Sequence, residues 1–277
     1  MKSTATLSRE ECAELFGALS LAAGAEIMRH HALGIAARQK ADSSPVTDAD
    51  EAAEAIILKG LSDGAPGIQV IAEESAAKGL CGAAAGPDFI LVDPLDGTRE
   101  FVAGHEDFTV NIALIRQGVP IAGAVYAPAL GRLWIAGKTC FSINVTAGEG
   151  MPPRERWRPV HARPGDPENL VALVSRSHLN ARSTAELARI GAKEQRSMGS
   201  SLKFCVLAEG GADVYPRFGP TMEWDTAAGD AVLRAAGGIV LGEDHKPMRY
   251  GLPEREFRNC GFVAWGDPAL ASRRGAK

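Results

Sequence analysis

The chain has 277 residues, of which 45% are hydrophobic and 23% charged. That is the balance of a globular protein, and the length allows about two domains at ~100–200 residues each. The 30 Lys and Arg against 34 Asp and Glu leave a net charge of −4, which excludes a binder of nucleic-acid polymers that works by bulk positive charge.

No run of ~18 apolar residues occurs, so no membrane span is expected, and no targeting segment is visible at the N-terminus. Cys12, Cys81, Cys140, Cys205 and Cys260 are scattered with no C-x-x-C pair. This predicts free thiols in a reducing cytoplasm and no zinc site.

In chain order, Ser8 and Glu11 form a capping box. The helix behind it places Cys12, Leu15, Phe16, Leu19, Ala22, Ala23 and Ile27 on one apolar face. Ser43-Ser44-Pro45 breaks the pattern, and a second helix is predicted from near Thr47 to Gly60. The period then changes. Ile68 to Ala72 reads as a buried strand ending at Glu73-Glu74, and Phe89 to Val92 as another, stopped by Asp93-Pro94. Phe108 to Ile115 alternates, with Phe108, Val110, Ile112 and Leu114 on one face. Arg116-Gln117-Gly118 is a turn, Ile121 to Tyr126 pairs back, and Leu133 to Ala136 adds a strand.

The Pro-, Arg- and Gly-rich stretch from Gly148 to Arg163 reads as a linker. It divides an α+β half, residues 1–150, from an α/β half, residues 151–277. The second half offers a strand from Leu170 to Val174 and a helix from Ala181 to Ile190. A helix capped by Ser200-Ser201 runs to Ala208, and a strand runs from Ala212 to Tyr215. A helix opened by Asp225 runs to Ala235, and Ile239 to Leu241 and Cys260 to Ala264 close as strands.

Acids gather where elements end. Glu73 and Glu74 follow one strand, and Asp93 and Asp96 the next. Asp48 and Asp50 start one helix, and Asp225 starts another. Taken singly, each has an ordinary explanation: an aspartate at a helix start is commonly an N-cap, and a D-P-x-D-G run can be a plain turn. Together they point to chemistry. Pro94 sets the chain direction and removes a competing donor, so both carboxylates of Asp93-x-x-Asp96 can turn to one point with the Leu95 carbonyl between them. An all-oxygen set suits a hard cation such as Mg²⁺ or Mn²⁺. Gly97 lets the backbone pass close, and its N–H with that of Thr98 can hold a phosphate oxygen.

V-D-P-L-D-G-T (Val92 to Thr98), A-E-E-S (Ala72 to Ser75), S-P-V-T-D-A-D (Ser44 to Asp50) and W-D-T-A-A-G (Trp224 to Gly229) resemble the metal-site motifs of the inositol monophosphatase superfamily, in that family's order. Within it, the chain resembles the CysQ-type 3'(2'),5'-bisphosphate nucleotidases. F-T-V-N-I-A-L-I (Phe108 to Ile115), S-R-S-H (Ser175 to His178), G-S-S-L-K-F-C (Gly199 to Cys205) and A-D-V-Y-P-R-F-G-P (Ala212 to Pro220) carry that likeness. The resemblance extends from about Leu7 to Trp265. Ala72 stands where many relatives carry Gly.

The resemblance implies a layered αβαβα sandwich and Mg²⁺-dependent phosphomonoester hydrolysis, with two or three Mg²⁺ per site. It implies metal ligation by the side chains of Glu73, Asp93, Asp96 and Asp225 and by the Leu95 carbonyl. Thr98 would bond the attacking water, and Glu73 or Asp50 would take its proton. Gly97, Thr98 and the helix end at Asp225 would hold phosphate oxygens. Inositol monophosphatases usually carry an acid in a Y-x-E-x-G pattern, facing neutral polyol hydroxyls. This chain has Tyr215-Pro216-Arg217-Phe218-Gly219, and an Arg there grips an anion. By the same likeness, Lys203 and Arg217 meet a 5'-phosphate, and His178, Gly199 and Ser200 surround the nucleoside. Taken alone, Lys203 on a helix and Arg217 near a turn read as solvated charges. Trp224 is expected to pack beneath the acids. His30 and His31 diverge by ~100° on the first helix and share no site.

The implied reaction removes the 3'-phosphate of adenosine 3',5'-bisphosphate, and of its sulfated relative, recycling a by-product of sulfate activation. Lithium sensitivity is implied with it. An inositol monophosphatase, a broader sugar phosphatase and a non-catalytic nucleotide or metal sensor are the alternatives. Relatives include monomers and homodimers. The basic tail Arg273 to Lys277 is short for an anchor, and the location implied is the cytoplasm, with a peripheral place on the inner membrane's cytoplasmic face as the variant.

Overall fold

The computed structural model describes residues 7–33, 38–39, 45–81, 86–252 and 255–272. Ser43, Ser44 and the basic tail lie outside them.

The first helix, α1 (Arg9–Leu33), opens on the expected box: Ser8 N–H donates to Glu11 Oε2 at 2.7 Å and Glu11 N–H to Ser8 Oγ at 3.2 Å. Its apolar face is broader than the single stripe expected. Ala22 is exposed, while Ala13, Gly17, Ser20, Leu21 and Gly24 are buried. The reason is that α1 packs against both its neighbouring helix and the sheet. Strands β1 (Arg38–Gln39) and β2 (Pro45–Val46) form a small antiparallel pair. Helix α2 (Asp48–Gly64) follows its N-cap Thr47.

Strand β3 (Gln69–Ala72) runs into the one-turn helix α3 (Glu73–Ala77). Strand β4 (Asp88–Asp96) continues through Asp93-Pro94 instead of stopping there. The Pro costs little because the register shifts between Asp93 and Asp96, a bulge that needs no ladder N–H at that position. A short helix, α4 (Thr98–Val102), comes next. A meander follows: β5 (Thr109–Arg116), β6 (Val119–Ala127), β7 (Arg132–Ala136), β8 (Cys140–Asn144) and β9 (Arg158–Val160). The β5–β6 turn puts Gln117 and Gly118 at φ 48° and 75°, the backbone of a two-residue hairpin. The stretch read as a linker thus carries a 3₁₀ turn, Arg154–Arg156, and the edge strand β9. Strand β8 has no counterpart in the sequence reading.

The second half comprises β10 (Val171–Ser175), α5 (Ala181–Ile190), β11 (Glu194–Met198), α6 (Leu202–Ala208), β12 (Val214–Arg217), α7 (Glu223–Ala235), β13 (Ile239–Gly242), β14 (Phe262–Trp265) and α8 (Pro268–Ser272). Strand β11 and α8 are additions to the expected elements. A seven-stranded sheet has the order β3-β4-β5-β6-β7-β8-β9, and a five-stranded sheet the order β11-β10-β12-β14-β13.

Alternation along the strands explains the layering. Ile90, Val92, Ile112 and Leu114 join the core under α1 and α2, whereas Phe89, Leu91, Ala113 and Ile115 join the core around α6 and α7. In the second sheet Leu173, Tyr215 and Ala264 face that same central core, while Ala172, Val214 and Trp265 face α5. Both sheets are therefore covered on both faces. The architecture is the αβαβα sandwich expected, with α6 and α7 as its middle layer.

Candidate active site

The site is built where β3, β4 and α7 direct their ends to one side of the middle layer. Glu73 is the first residue of α3, after β3, and Asp93, Leu95 and Asp96 lie on the bulged end of β4. Asp225 lies in the first turn of α7, two residues inside its start, and accepts the Met222 N–H at 2.9 Å. Asp50 lies in the first turn of α2. Its Oδ2 accepts the Thr47 N–H at 2.7 Å and the Thr47 hydroxyl at 2.6 Å. Asp48, by contrast, is exposed and paired with Arg38 at 2.6 Å.

One cleft collects most of the expected residues. Glu73, Asp96, Gly97, Thr98, His178, Gly199, Ser200, Lys203, Arg217 and Asp225 all line it. Asp93 and Leu95, each 1% exposed, lie behind the lining. Asp50, also 1% exposed, reaches the cleft through Thr98, whose hydroxyl lies 3.2 Å from Asp50 Oδ1 and 3.2 Å from the Leu95 carbonyl. Gly97 precedes α4 with φ 93°, a conformation a side chain would strain. Trp224 is buried against Phe257 at the start of α7. His30 bonds Glu26 at 3.0 Å within the first helix, whereas His31 packs that helix on Phe101 and Phe108.

Asp93, Asp96 and Asp225 hold protons more tightly than free carboxylates do. Burial lifts Asp93 well above the usual carboxylate range, helped by the charges of Glu73, Asp96, Asp225 and Asp50. Burial pushes Asp96 up to about 6, against the pull of Lys203 and the Ser201 N–H. Asp225 is raised by burial and by Asp96 and Glu73. Buried carboxylates that repel each other are costly unless a cation lies among them. The donors are all oxygen, which fits a hard divalent ion. Among the described residues no three such side chains surround a common point at metal-bonding distance. Backbone N–H groups hold them instead: Leu95 N–H on Asp93 Oδ1 at 3.0 Å, Ser201 N–H on Asp96 Oδ2, and Met222 N–H on Asp225 Oδ2.

The cations differ from their reading in isolation. Lys203 is 2% exposed, not solvated. Its ammonium donates to the Ser200 carbonyl at 2.6 Å and the Met198 carbonyl at 3.1 Å, and lies 5.1 Å from the Tyr215 ring centre. Burial lowers its pKa to about 8, against the raising effect of Asp96. Arg217 is 5% exposed. One Nη donates to the Pro220 carbonyl at 3.0 Å, and its buried Nε has no partner among the described residues. His178 is exposed at the rim, with Nε2 3.2 Å from an Arg99 nitrogen. Ser201 does not cap α6 through its side chain; its hydroxyl bonds Asn111 and Thr109 instead.

Several further residues of the site lie outside the sequence motifs. Glu54, buried on α2, accepts the Glu74 N–H at 2.7 Å, the Ser75 N–H at 2.9 Å and the Ser75 hydroxyl at 2.6 Å, so it caps α3 from outside. Arg99 and Glu100 line the cleft, and Glu100 accepts the Ser177 hydroxyl at 2.6 Å. Their position just after D-G-T was the available signal.

The inositol monophosphatase family model matches residues 8–270. The chain belongs to the inositol monophosphatase family. Among its relatives, the 3'(2'),5'-bisphosphate nucleotidase CysQ of Shigella flexneri is 44% identical over 226 residues, covering 80% of this chain and 86% of that protein. The CysQ nucleotidase of Escherichia coli K12 is 43% identical over the same length. The crystal structure of CysQ from Bacteroides thetaiotaomicron, 32% identical, superposes with a TM-score of 0.74 over 92% of this chain and 96% of that one. An inositol monophosphatase from Zymomonas mobilis, 21% identical with a TM-score of 0.73, shares the fold. This family of phosphatases is metal-dependent. Among the described residues of this member no helix is long and apolar enough to cross a membrane.

Proposed function

We propose that the chain is a Mg²⁺-dependent 3'(2'),5'-bisphosphate nucleotidase. It converts adenosine 3',5'-bisphosphate and water to adenosine 5'-monophosphate and phosphate, and acts also on the sulfated relative. The observation that carries this reading is the burial of Lys203 and Arg217 in the cleft that Glu73, Asp96 and Asp225 also line. Two buried cations beyond an acidic centre suit a substrate with a second anionic group. A neutral polyol offers them acceptors but no charge, and a buried guanidinium nitrogen left unmet is costly. The identity to the CysQ nucleotidases supports the same choice.

Glu73, Asp93, Asp96, Asp225 and the Leu95 carbonyl would hold two or three Mg²⁺, which supply neutralisation of the phosphate charge, acidification of water and stabilisation of the leaving oxygen. The chain's own groups do the rest. Thr98, donating its proton to Asp50, has its lone pairs turned to accept a hydrogen bond from the attacking water. Asp50 or Glu73 receives the water's proton. The Gly97 and Thr98 N–H groups and the first turn of α7 hold the non-bridging oxygens. Water adds in line as the 3'-oxygen leaves, and that oxygen takes up a proton. His178, Gly199 and Ser200 border the nucleoside, and Lys203 and Arg217 hold its 5'-phosphate. No His or Cys nucleophile is used, so no phosphoenzyme forms.

Phosphate release across a panel tests this reading. Adenosine 3',5'-bisphosphate should be cleaved with higher kcat/KM than inositol 1-phosphate, and only with Mg²⁺ present. Preference for the inositol ester overturns the substrate, and tight nucleotide binding without turnover overturns the enzyme.

A further inference from the structure

The turn Gly199-Ser200-Ser201 is pinned at both ends by the first half of the chain. At its start, the Gly199 N–H donates to Asp107 Oδ2, and Asp107 is 8% exposed. The other oxygen of that carboxylate takes Arg176 Nη1 at 2.6 Å. At its end, the Ser201 N–H donates to Asp96 Oδ2, and the Ser201 hydroxyl lies 2.7 Å from Asn111 Oδ1 and 2.8 Å from Thr109 Oγ1. Between the pins, Ser200 takes φ 47°, a left-handed conformation that costs a serine about 1 kcal/mol and persists only where neighbours enforce it. The fit at the first pin is tight: a Cβ on Gly199 would come within 2.7 Å of the Asp107 carbonyl and 2.8 Å of Glu100 Cγ. The carbonyl of this strained Ser200 holds the Lys203 ammonium at 2.6 Å.

We propose that Asp107 is a positioning residue for the second-anion end of the cleft: through the Gly199-Ser200 turn it sets where Lys203 presents its charge. The inference rests on the reading of Lys203 as a phosphate grip. The Asp96 pin belongs to the acidic centre, and the Asp107 pin belongs to the lysine. Asparagine at position 107 has one acceptor oxygen and cannot serve both Gly199 and Arg176 without facing a donor with a donor. The turn then relaxes at its Gly199 end, while Ser201, still held by Asp96, Asn111 and Thr109, keeps the acids in place.

The test compares two substrates that share a 3'-phosphate, adenosine 3',5'-bisphosphate and adenosine 3'-monophosphate. Wild-type enzyme is measured first, and no preference for the bisphosphate there refutes the functional reading before any variant is made. Asp107→Asn should raise KM for the bisphosphate about tenfold, since a displacement near 1 Å weakens a fitted contact that much or more. Its kcat should stay within about twofold, and its KM for the monophosphate, which meets the turn only through the nucleoside, should rise no more than about threefold. The calorimetric Kd of adenosine 5'-monophosphate, which requires no turnover, should rise in parallel. An equal rise for both substrates, or no rise, overturns the proposal. If Asp107→Asn does not fold, Arg176→Gln carries the test: it should raise KM about threefold for the bisphosphate alone, and an unchanged or uniform KM overturns the proposal.

Discussion

Thr98 and Asp50, 48 positions apart, meet at 3.2 Å between the threonine hydroxyl and Asp50 Oδ1. Asp50 is itself oriented by two bonds from Thr47, so its other oxygen is aimed across the interface between α2 and the end of β4. Removing the hydroxyl from this relay leaves the fold intact. If the hydroxyl passes the water's proton on, Thr98→Ala should lower kcat by about 10²–10⁴, the range for a positioned acid–base group, with KM near wild type. A kcat within threefold of wild type shows that the hydroxyl has no part in the chemistry.

The acid cluster predicts a metal response in both activity and stability. Chelation should abolish phosphate release, and added Mg²⁺ should restore it. Binding to the folded state alone should also raise the melting temperature as Mg²⁺ rises above its dissociation constant. A melting curve indifferent to Mg²⁺ contradicts ligation by these buried carboxylates.

Arg217 supplies a sharper substrate test than any acid. Its buried Nε lacks a partner among the described residues. Arg217→Ala should reduce kcat/KM for adenosine 3',5'-bisphosphate about 100-fold, the scale of a lost charge-assisted contact of roughly 3 kcal/mol. Adenosine 3'-monophosphate should lose less than tenfold. Equal losses make Arg217 a structural residue.

Glu54 predicts a stability effect. Replacing it with alanine strands two N–H donors at the start of α3 and the Ser75 hydroxyl. Each unmet buried donor costs roughly 1–3 kcal/mol, so Glu54→Ala should lower the unfolding free energy by about 2–4 kcal/mol. Urea denaturation measures it, and a shift below 0.5 kcal/mol shows the cap to be dispensable.

His178 sets a pH prediction. Although part of the ring faces solvent, desolvation of the side turned to the cleft, with the charges of Arg217, Arg99 and Lys203 against that of Glu100, lowers its pKa to about 4. In the unfolded chain it titrates near 6.5. Protons therefore bind the unfolded state first, so the stability tied to the neutral ring is present above pH ~6.5 and is lost as pH falls toward about 4. The ring resonances should show no titration between pH 5 and 8. A midpoint near 6.5 contradicts the crowding described.

Where each acid sits was legible from the sequence, because Asp93-Pro94-Leu95-Asp96-Gly97 and Thr47-Asp48-Ala49-Asp50 are local devices. A helix start or the turn that follows a strand is marked by residues within four positions of each other. The alternation of Phe108, Val110, Ile112 and Leu114 was legible for the same reason. The extent of β4 was misread because Pro normally ends a ladder, and only the pairing with β5 shows a register shift that tolerates it. Strand β11, Glu194–Met198, is mostly exposed and polar, with no period to mark it. Its pairing with β10 comes from the neighbouring backbone.

By itself, then, the sequence determined the family, the layered architecture and the placing of acids at element ends. Tertiary structure alone decided the environment of the cations. Lys203 and Arg217 read as solvated charges on their own elements, and they become buried only because α6 lies in the middle layer between the two sheets and β12 packs against it. Likewise Glu54 caps a helix 20 positions away, and Asp107 holds a turn 92 positions away. A hydrogen bond across such a span leaves no periodic trace in the chain, because its geometry exists only after both sheets have packed.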